Sequence, residues 1–237
     1  MKHILFALVA IVSASALQGQ IAASPHDLST TGPRGKTNTT QTCVFCHTPH
    51  GAIGSVSSEV AGQPIAAQLI PLWNHSTTAT VFTMYNTTNN PISNLQGVVD
   101  ATVTGASLAC LSCHDGVLAV GAISNLPNDV AAITYTAFAG GLDATGHIIG
   151  TAKMGVDLTN DHPISITYMN AGNTAPLDPG MKMPSTFAAN GVKLFANKVQ
   201  CASCHDVHNW GTVAAGTRPF LAYTMTASGL CLQCHTK

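Results

Sequence analysis

The sequence predicts a coil-rich fold with a few short helices and little sheet, and three observations lead to this prediction. All eight cysteines occur in pairs separated by two residues, and a histidine directly follows each pair. Charged residues make up 8% of the chain and aromatic residues 5%, whereas about 25% of an average globular protein is charged. The segment from Ser24 to Thr42 shows no helical or alternating apolar period. Such a chain needs something other than a conventional core of packed side chains.

The repeated cysteine motif indicates what would supply that core. It reads Cys-x-x-Cys-His and occurs at Cys43–His47, Cys110–His114, Cys201–His205 and Cys231–His235. Two thiols at this spacing can add to the two vinyl groups of one porphyrin while the next imidazole binds its iron. Zinc ribbons, redox dithiols and disulfides also use Cys-x-x-Cys, but none requires a histidine in the next position every time. The motifs therefore predict four covalently attached haem c groups.

The predicted fold class is accordingly a multihaem cytochrome c, whose chain wraps around a stack of four haems. Each porphyrin has two large apolar faces, and burying them at about 25 cal/mol per Å² can replace much of an ordinary core. The predicted haem-binding cysteines are Cys43, Cys46, Cys110, Cys113, Cys201, Cys204, Cys231 and Cys234. The predicted proximal iron ligands are His47, His114, His205 and His235.

The N-terminal segment predicts export. Residues 1–23 contain an early Lys2, a short apolar run and then small residues, which is typical of a secretory signal peptide with cleavage between about residues 16 and 24. Residues 24–237 would form one tetrahaem domain. The apolar run is too short to cross a bilayer about 30 Å thick. We expect an exported protein without a membrane span, located outside the cell or at its surface, or otherwise in the periplasm.

A low-spin electron carrier needs a second axial ligand on each iron. Apart from the four proximal histidines and His3 of the signal peptide, six histidines remain. We expect four distal ligands from five of them: His50, His208, His75, His162 and His26. His50 and His208 follow a proximal histidine by three residues, which directs each side chain towards a different haem. Pro163 holds His162 in an extended conformation. His147 is the weaker sixth candidate, and methionines would be gap-filling residues rather than ligands.

Three further expectations concern secondary structure and surface. A short helix is predicted over 65–72, a strand over 98–107 and a helix over 185–199. The segment from Ser24 to Thr42 has no apolar period and is expected to be an extended arm. Lysine and arginine are too few and too scattered for nucleic-acid binding, and the low charge predicts a neutral polar surface with apolar patches.

The ordered set of motifs resembles a known family. It is similar to the tetrahaem extracellular cytochromes of the OmcE type, and the resemblance covers nearly the whole mature chain. It implies haems with two histidine ligands, a coil-rich protomer, and polymerisation into "nanowire" filaments in which a histidine of one subunit can complete a haem of the next. The segments that carry the resemblance are Ser24–Ser29, Cys43–His50, Pro71–His75, Cys110–Gly116, Asn160–Ser165 and Cys201–Asn209.

The expected function is extracellular electron transfer through four haems, without enzymatic activity. The expected partners are other copies of the chain in a head-to-tail homopolymer, together with redox proteins or extracellular electron acceptors. One alternative is a soluble periplasmic tetrahaem shuttle, although the chain has little charge with which to steer docking. Another is a multihaem reductase with one open iron. His26, on the predicted arm, is the expected donor to a neighbouring subunit, with His75 as the second choice.

Overall fold

The computed structural model describes residues 19–22, 24–33, 36–52, 72–85, 95–189, 191–208 and 220–236. These residues confirm the prediction of a coil-rich chain with a few short helices and little sheet. The α-helices are α1 (Gly19–Ala22), α2 (Gly105–His114), α3 (Cys201–Cys204) and α4 (Cys231–Cys234). The strands are β1 (Ile166–Thr167) and β2 (Lys198–Val199). Short 3₁₀ turns lie at Cys43–Phe45, Gly150–Ala152, Pro184–Thr186 and Thr226–Ser228.

Helix α2 is the longest described helix and carries the second cysteine motif at its C-terminal end. It follows Thr104, whose backbone is extended, and buries small residues such as Ser107 and Ala109 together with Leu111. These small side chains let α3 pack closely against α2. The helix stops before Gly116, which has a φ of 71°, a left-handed conformation that favours glycine.

The two strands form a small antiparallel pair that leads into the third motif. Ile166 lies opposite Val199, and Thr167 lies opposite Lys198. Ala196 and Asn197, the two residues that directly precede β2, have positive φ angles of 48° and 63°. Phe195 and Lys198 exchange backbone hydrogen bonds around them. This is the geometry of a tight turn with two left-handed central residues, and it returns the chain to β1 just before Cys201.

The side-chain core is divided into small clusters rather than gathered in one place. One cluster packs Phe82, Met84, Val103, Leu111 and Leu158 against the buried face of α2. Another forms around the strand pair and contains Ile166, Tyr168, Met169 and Val199. Each cluster therefore supports one motif region.

A buried hydrogen-bond network joins the second motif to the third. Ser107 of α2 donates to the side chain of Gln200, and its hydroxyl accepts the backbone N–H of Cys201 at 2.9 Å. Gln200 and Ser203 cap the start of α3 reciprocally. Ser107, Gln200 and Ser203 are all buried. We call this network the α2–α3 joint.

Two secondary-structure predictions are wrong, and one lies outside the described residues. Residues 98–107 form a single bridge between Val99 and Ile166, and α2 then begins at Gly105 because Ala, Leu and Ser favour a helix there. Residues 185–199 contain the turn at Ala196 and the strand β2 instead of a helix. The helix predicted over 65–72 falls almost entirely outside the described residues.

The predicted extended arm is folded back on the chain. Asn38 donates from its side chain to the carbonyl of Ala132, and Thr39 and Thr40 both donate to the carboxylate of Asp129. The irregular backbone was expected, but the expectation that it reaches away from its own subunit is wrong for these residues. Among the described helices, none has the length and apolar composition needed to span a bilayer.

The α2–α3 joint predicts the effect of a one-atom substitution. Ser107→Ala removes two hydrogen bonds and leaves Gln200 and the Cys201 N–H without this partner, so we expect unfolding free energy to fall by about 1–3 kcal/mol. Urea denaturation followed by absorbance measures the change. The exposed Ser124 provides the matched control, and Ser124→Ala should alter the stability by less than about 0.5 kcal/mol. Equal effects of both substitutions would contradict the role given to the joint.

Candidate haem-binding sites

In each cysteine motif one turn of backbone arranges both thiols and the following histidine. The N–H groups of His47, His205 and His235 donate to the carbonyl of the first cysteine of their motif at 2.9, 3.1 and 2.9 Å. His205 and His235 directly follow helices α3 and α4 and have extended backbones. The two cysteines therefore share one turn, and the imidazole leaves it at the end. These three motifs share one local shape, whereas the second motif forms the C-terminal end of the ten-residue helix α2, which includes His114.

No disulfide joins any of the eight cysteines, all of which lie in the described residues. The thiol of Cys110 is hydrogen bonded to Cys201, and this bond together with burial raises the Cys110 pKa. Burial raises the pKa of Cys204 to about 11. The thiols of Cys110 and Cys204 stay protonated at neutral pH.

Geometric contacts order the motifs in space. Trp73 forms a bridge with His47 of the first motif and packs on Ala109, one residue before Cys110, and the Cys201 N–H donates to Ser107 of α2 at 2.9 Å. Cys234 of the fourth motif packs against the cluster that contains Val199, two residues before Cys201. Consecutive motifs in the sequence are thus neighbours in the structure.

Three proximal histidines each face one predicted distal histidine. The ring centroids of His47 and His208 are 6.1 Å apart with an interplanar angle of 24°. Those of His26 and His114 are 6.0 Å apart. Those of His162 and His235 are 6.4 Å apart. In every pair the partners come from different segments of the chain, and only one member belongs to a Cys-x-x-Cys-His motif.

The separation of these rings fits one iron between two imidazoles. A metal about 2 Å from one nitrogen of each ring places the two ring centroids roughly 6 Å apart. Imidazoles that pack directly on each other, or that share a hydrogen bond, have no reason to show the same centroid separation in all three pairs. The residues present therefore fit a haem iron at the first, second and fourth motifs.

His26 occupies an interior position that the sequence did not predict. Its ring stacks on Phe220 at 4.5 Å. Burial, and then repulsion from His114 and Lys36, together lower the pKa of His26 to about 4. A neutral imidazole can bind a metal through a free lone pair. His26 is therefore placed within its own subunit, contrary to the expectation that it serves a neighbour.

The ring of His162 contacts the backbone of the residue that follows it. Its Nδ1 faces the Pro163 carbonyl at 3.1 Å. Removal of water by the surrounding chain lowers the pKa of His162, the hydrogen bond to Pro163 opposes this effect, and His235 lowers the pKa slightly more. The Nε2 atom is the ring nitrogen left for a metal.

His75 has a different environment from the three paired distal candidates. It is fully buried, its Nδ1 faces the carbonyl of Ser76 at 2.7 Å and its Nε2 faces that of Ala119 at 3.0 Å. The thiol of Cys113 lies 3.4 Å from Nε2. In this structure His75 thus touches the second motif at a cysteine rather than at the proximal imidazole.

The other two histidines are nearer the surface. His50 is exposed three residues after His47. His147 forms an ion pair with Asp143 at 3.5 Å and contacts the Thr145 hydroxyl at 2.8 Å. The carboxylate and hydroxyl give His147 a local structural role. Among the described residues no group of three or more His, Cys, Asp or Glu side chains is arranged to hold a bare metal ion.

The loop 72–75 attaches the first motif to the second. The fully buried Asn74 donates to the carbonyls of Val44 and Asn125 at 2.7 and 3.0 Å, and it accepts the N–H of Asn125 at 2.9 Å. The neighbouring Trp73 forms a backbone bridge with His47 and packs on Ala109 of α2. The sequence offered no sign of the role of Asn74 apart from its position between Trp73 and His75.

Comparison with known proteins adds no assignment, since neither a family model nor a curated protein matches the chain.

Asn74 allows a direct test of how the first motif is positioned. Asn74→Ala removes hydrogen bonds to buried groups of two segments, so we expect the unfolding free energy to fall by about 3 kcal/mol. Urea denaturation measures the loss. Asn160→Ala is the control, because Asn160 is exposed, and it should change the stability by less than about 0.5 kcal/mol. Identical denaturation midpoints for the two variants would show that Asn74 does not hold this loop.

Proposed function

We propose that this protein transfers electrons through four covalently bound haem c groups whose irons have two histidine ligands. The observation that carries the proposal is the set of three proximal–distal imidazole pairs, with centroid separations of 6.0, 6.1 and 6.4 Å. Each pair contains the histidine of one Cys-x-x-Cys-His motif. Haem iron held by two imidazoles supplies reversible one-electron chemistry when bound.

The cysteines of each motif would attach the cofactor. Each sulfur would form one bond to a vinyl carbon, and its hydrogen would pass to the other vinyl carbon, so the step needs no oxidant. Covalent attachment places the next histidine at the iron. The second imidazole, held by a distant segment of the chain, would then be the other histidine ligand of that haem.

The contacts between motifs support a connected path for electrons. The Cys201 N–H donates to Ser107 of α2 and so holds the third motif against the second, and Trp73 joins the first motif to the second because it bridges His47 and packs on Ala109. His208 adds a connection from the third motif back to the first, because it follows His205 by three residues and faces His47. Close spacing of redox centres is the main requirement for hopping, and the protein would set the spacing and the potential of each haem.

We further propose that the subunits assemble into filaments, as the family resemblance implies. His208 comes three residues after the third motif and faces His47, the proximal histidine of the first motif. The first motif is also followed by a histidine three residues later, His50, and this residue lies on the surface. His50 is therefore the residue we propose as the donor to an iron of the next subunit, in place of His26. A contact that repeats without closing gives a filament.

The histidine pairs predict a specific result for single substitutions. His208→Ala and His162→Ala should each retain four haems but convert one iron to the high-spin form, because one imidazole of a pair is lost. Electron paramagnetic resonance of the oxidised protein measures the spin states, and a pyridine haemochrome assay counts the haems. His147→Ala is the control and should leave all the irons of the assembled protein low-spin. A low-spin His208→Ala protein would contradict the pairing with His47.

Addition of nitrite to the wild-type protein, followed by electron paramagnetic resonance, tests the reductase alternative. We expect the assembled oxidised protein to show no spectral change on addition of nitrite. An immediate change would indicate an open iron and favour the reductase.

The assembly proposal predicts that His50 matters between subunits rather than within one. His50→Ala should yield subunits with four haems that form short filaments or none, and electron microscopy of secreted material would measure filament length. His26→Ala should instead open the iron at the second motif in isolated subunits. Filaments of normal length from His50→Ala would show that His50 is not the donor.

A further inference from the structure

Trp73 has an unusual hydrogen-bonding state. Its indole ring is 7% exposed, and Nε1 is the one buried side-chain nitrogen or oxygen in the described part of the chain that lacks a hydrogen-bond partner. An indole N–H can only donate. Buried donors are nearly always paired, so an unpaired one calls for an acceptor outside the described residues.

The position of Trp73 identifies where such an acceptor would lie. Trp73 and His47 are antiparallel bridge partners, and directly opposite residues in such a bridge project their side chains to the same face about 5 Å apart. His47 is the proximal ligand proposed for the first motif. The indole is also packed on Ala109, one residue before Cys110. Trp73 therefore stands at the first haem site, on the side that faces the second.

The chemistry of haem leaves one type of acceptor. The pyrrole nitrogens bind the iron, and the thioether sulfurs are weak acceptors, so strong acceptors on the bound cofactor are limited to its two propionate carboxylates. We propose that the Trp73 indole N–H donates a hydrogen bond to a propionate of the haem attached to Cys43 and Cys46. This inference rests on the proposed function, since it requires haem at the first motif.

The charge of the chain gives an independent reason for a neutral donor. Four haems bring two carboxylates each, whereas the whole sequence has nine lysines and arginines. Several of these have other partners: Lys198 pairs with Asp100 at 2.6 Å, and Lys182 donates to the carbonyl of Leu232 at 2.7 Å. With so few cations, hydrogen bonds from neutral groups must stabilise some propionates.

The first experiment observes the hydrogen bond itself. The chain has two tryptophans, so Trp210→Phe leaves a single indole N–H resonance, that of Trp73. In the reduced protein with all four haems, we expect this proton to exchange slowly and to show a nuclear Overhauser effect to propionate methylene protons of the haem at the first motif. An indole proton that exchanges freely, or one without contact to those methylenes, would overturn the proposal.

The second experiment removes the donor and keeps an aromatic ring. Trp73→Phe should shift the propionate bending band of one haem in the resonance Raman spectrum. It should also lower one of four midpoint potentials, because a less compensated carboxylate stabilises ferric iron. Unchanged spectra and potentials with four haems present would refute this role for Trp73. Fewer than four haems in the wild-type protein would instead refute the proposed function, so the two failures are distinguishable.

Discussion

The arrangement of the sites depends on the α2–α3 joint, in which buried hydrogen bonds connect Ser107, Gln200 and the backbone of Cys201. The second and third motifs are far apart in the sequence, and the joint holds the backbone of Cys201 against α2, which carries Cys110. Because His208 follows the third motif by three residues, a fixed α3 also determines where His208 meets His47. A polar joint suits this purpose, since each hydrogen bond has a required direction whereas apolar contact alone permits sliding.

The small apolar clusters and the low charge have a common explanation. Groups of four or five buried side chains around α2 and around the strand pair give each motif local support. They do not form one large core. Under the proposed function the faces of the haems provide the remaining apolar surface, and polar groups such as the indole of Trp73 would meet the carboxylates at the haem edges. A chain of this composition then needs few charged residues for stability, which leaves a surface with little repulsion between copies.

Local features of this chain could be predicted from its sequence, and long-range pairings could not. The spacing within Cys201–His205 determines a single turn, and Pro163 restricts His162, so both were accessible to local reasoning. Nothing near His26 indicates that it meets His114, because that encounter depends on the arm folding over residues 129–136.

Secondary structure was also hard to predict where it depends on long-range pairing. The helix predicted over 185–199 fails because Ala196 and Asn197 adopt left-handed conformations and form a tight turn, which local propensity disfavours at alanine but pairing with β1 stabilises. His75 seemed as good a ligand as His162 in the sequence. Two backbone carbonyls from separate segments, those of Ser76 and Ala119, surround its ring in the fold, and only the tertiary structure brings Ala119 there.

The central claim is that every haem in the functional protein has two histidine ligands, and near-infrared magnetic circular dichroism of the oxidised, assembled protein tests it most directly. The account predicts the charge-transfer band of bis-imidazole ferric haem, with the intensity that four such haems per chain would give. A band from histidine–methionine ligation, or a high-spin signal from any iron in the assembled state, would contradict it.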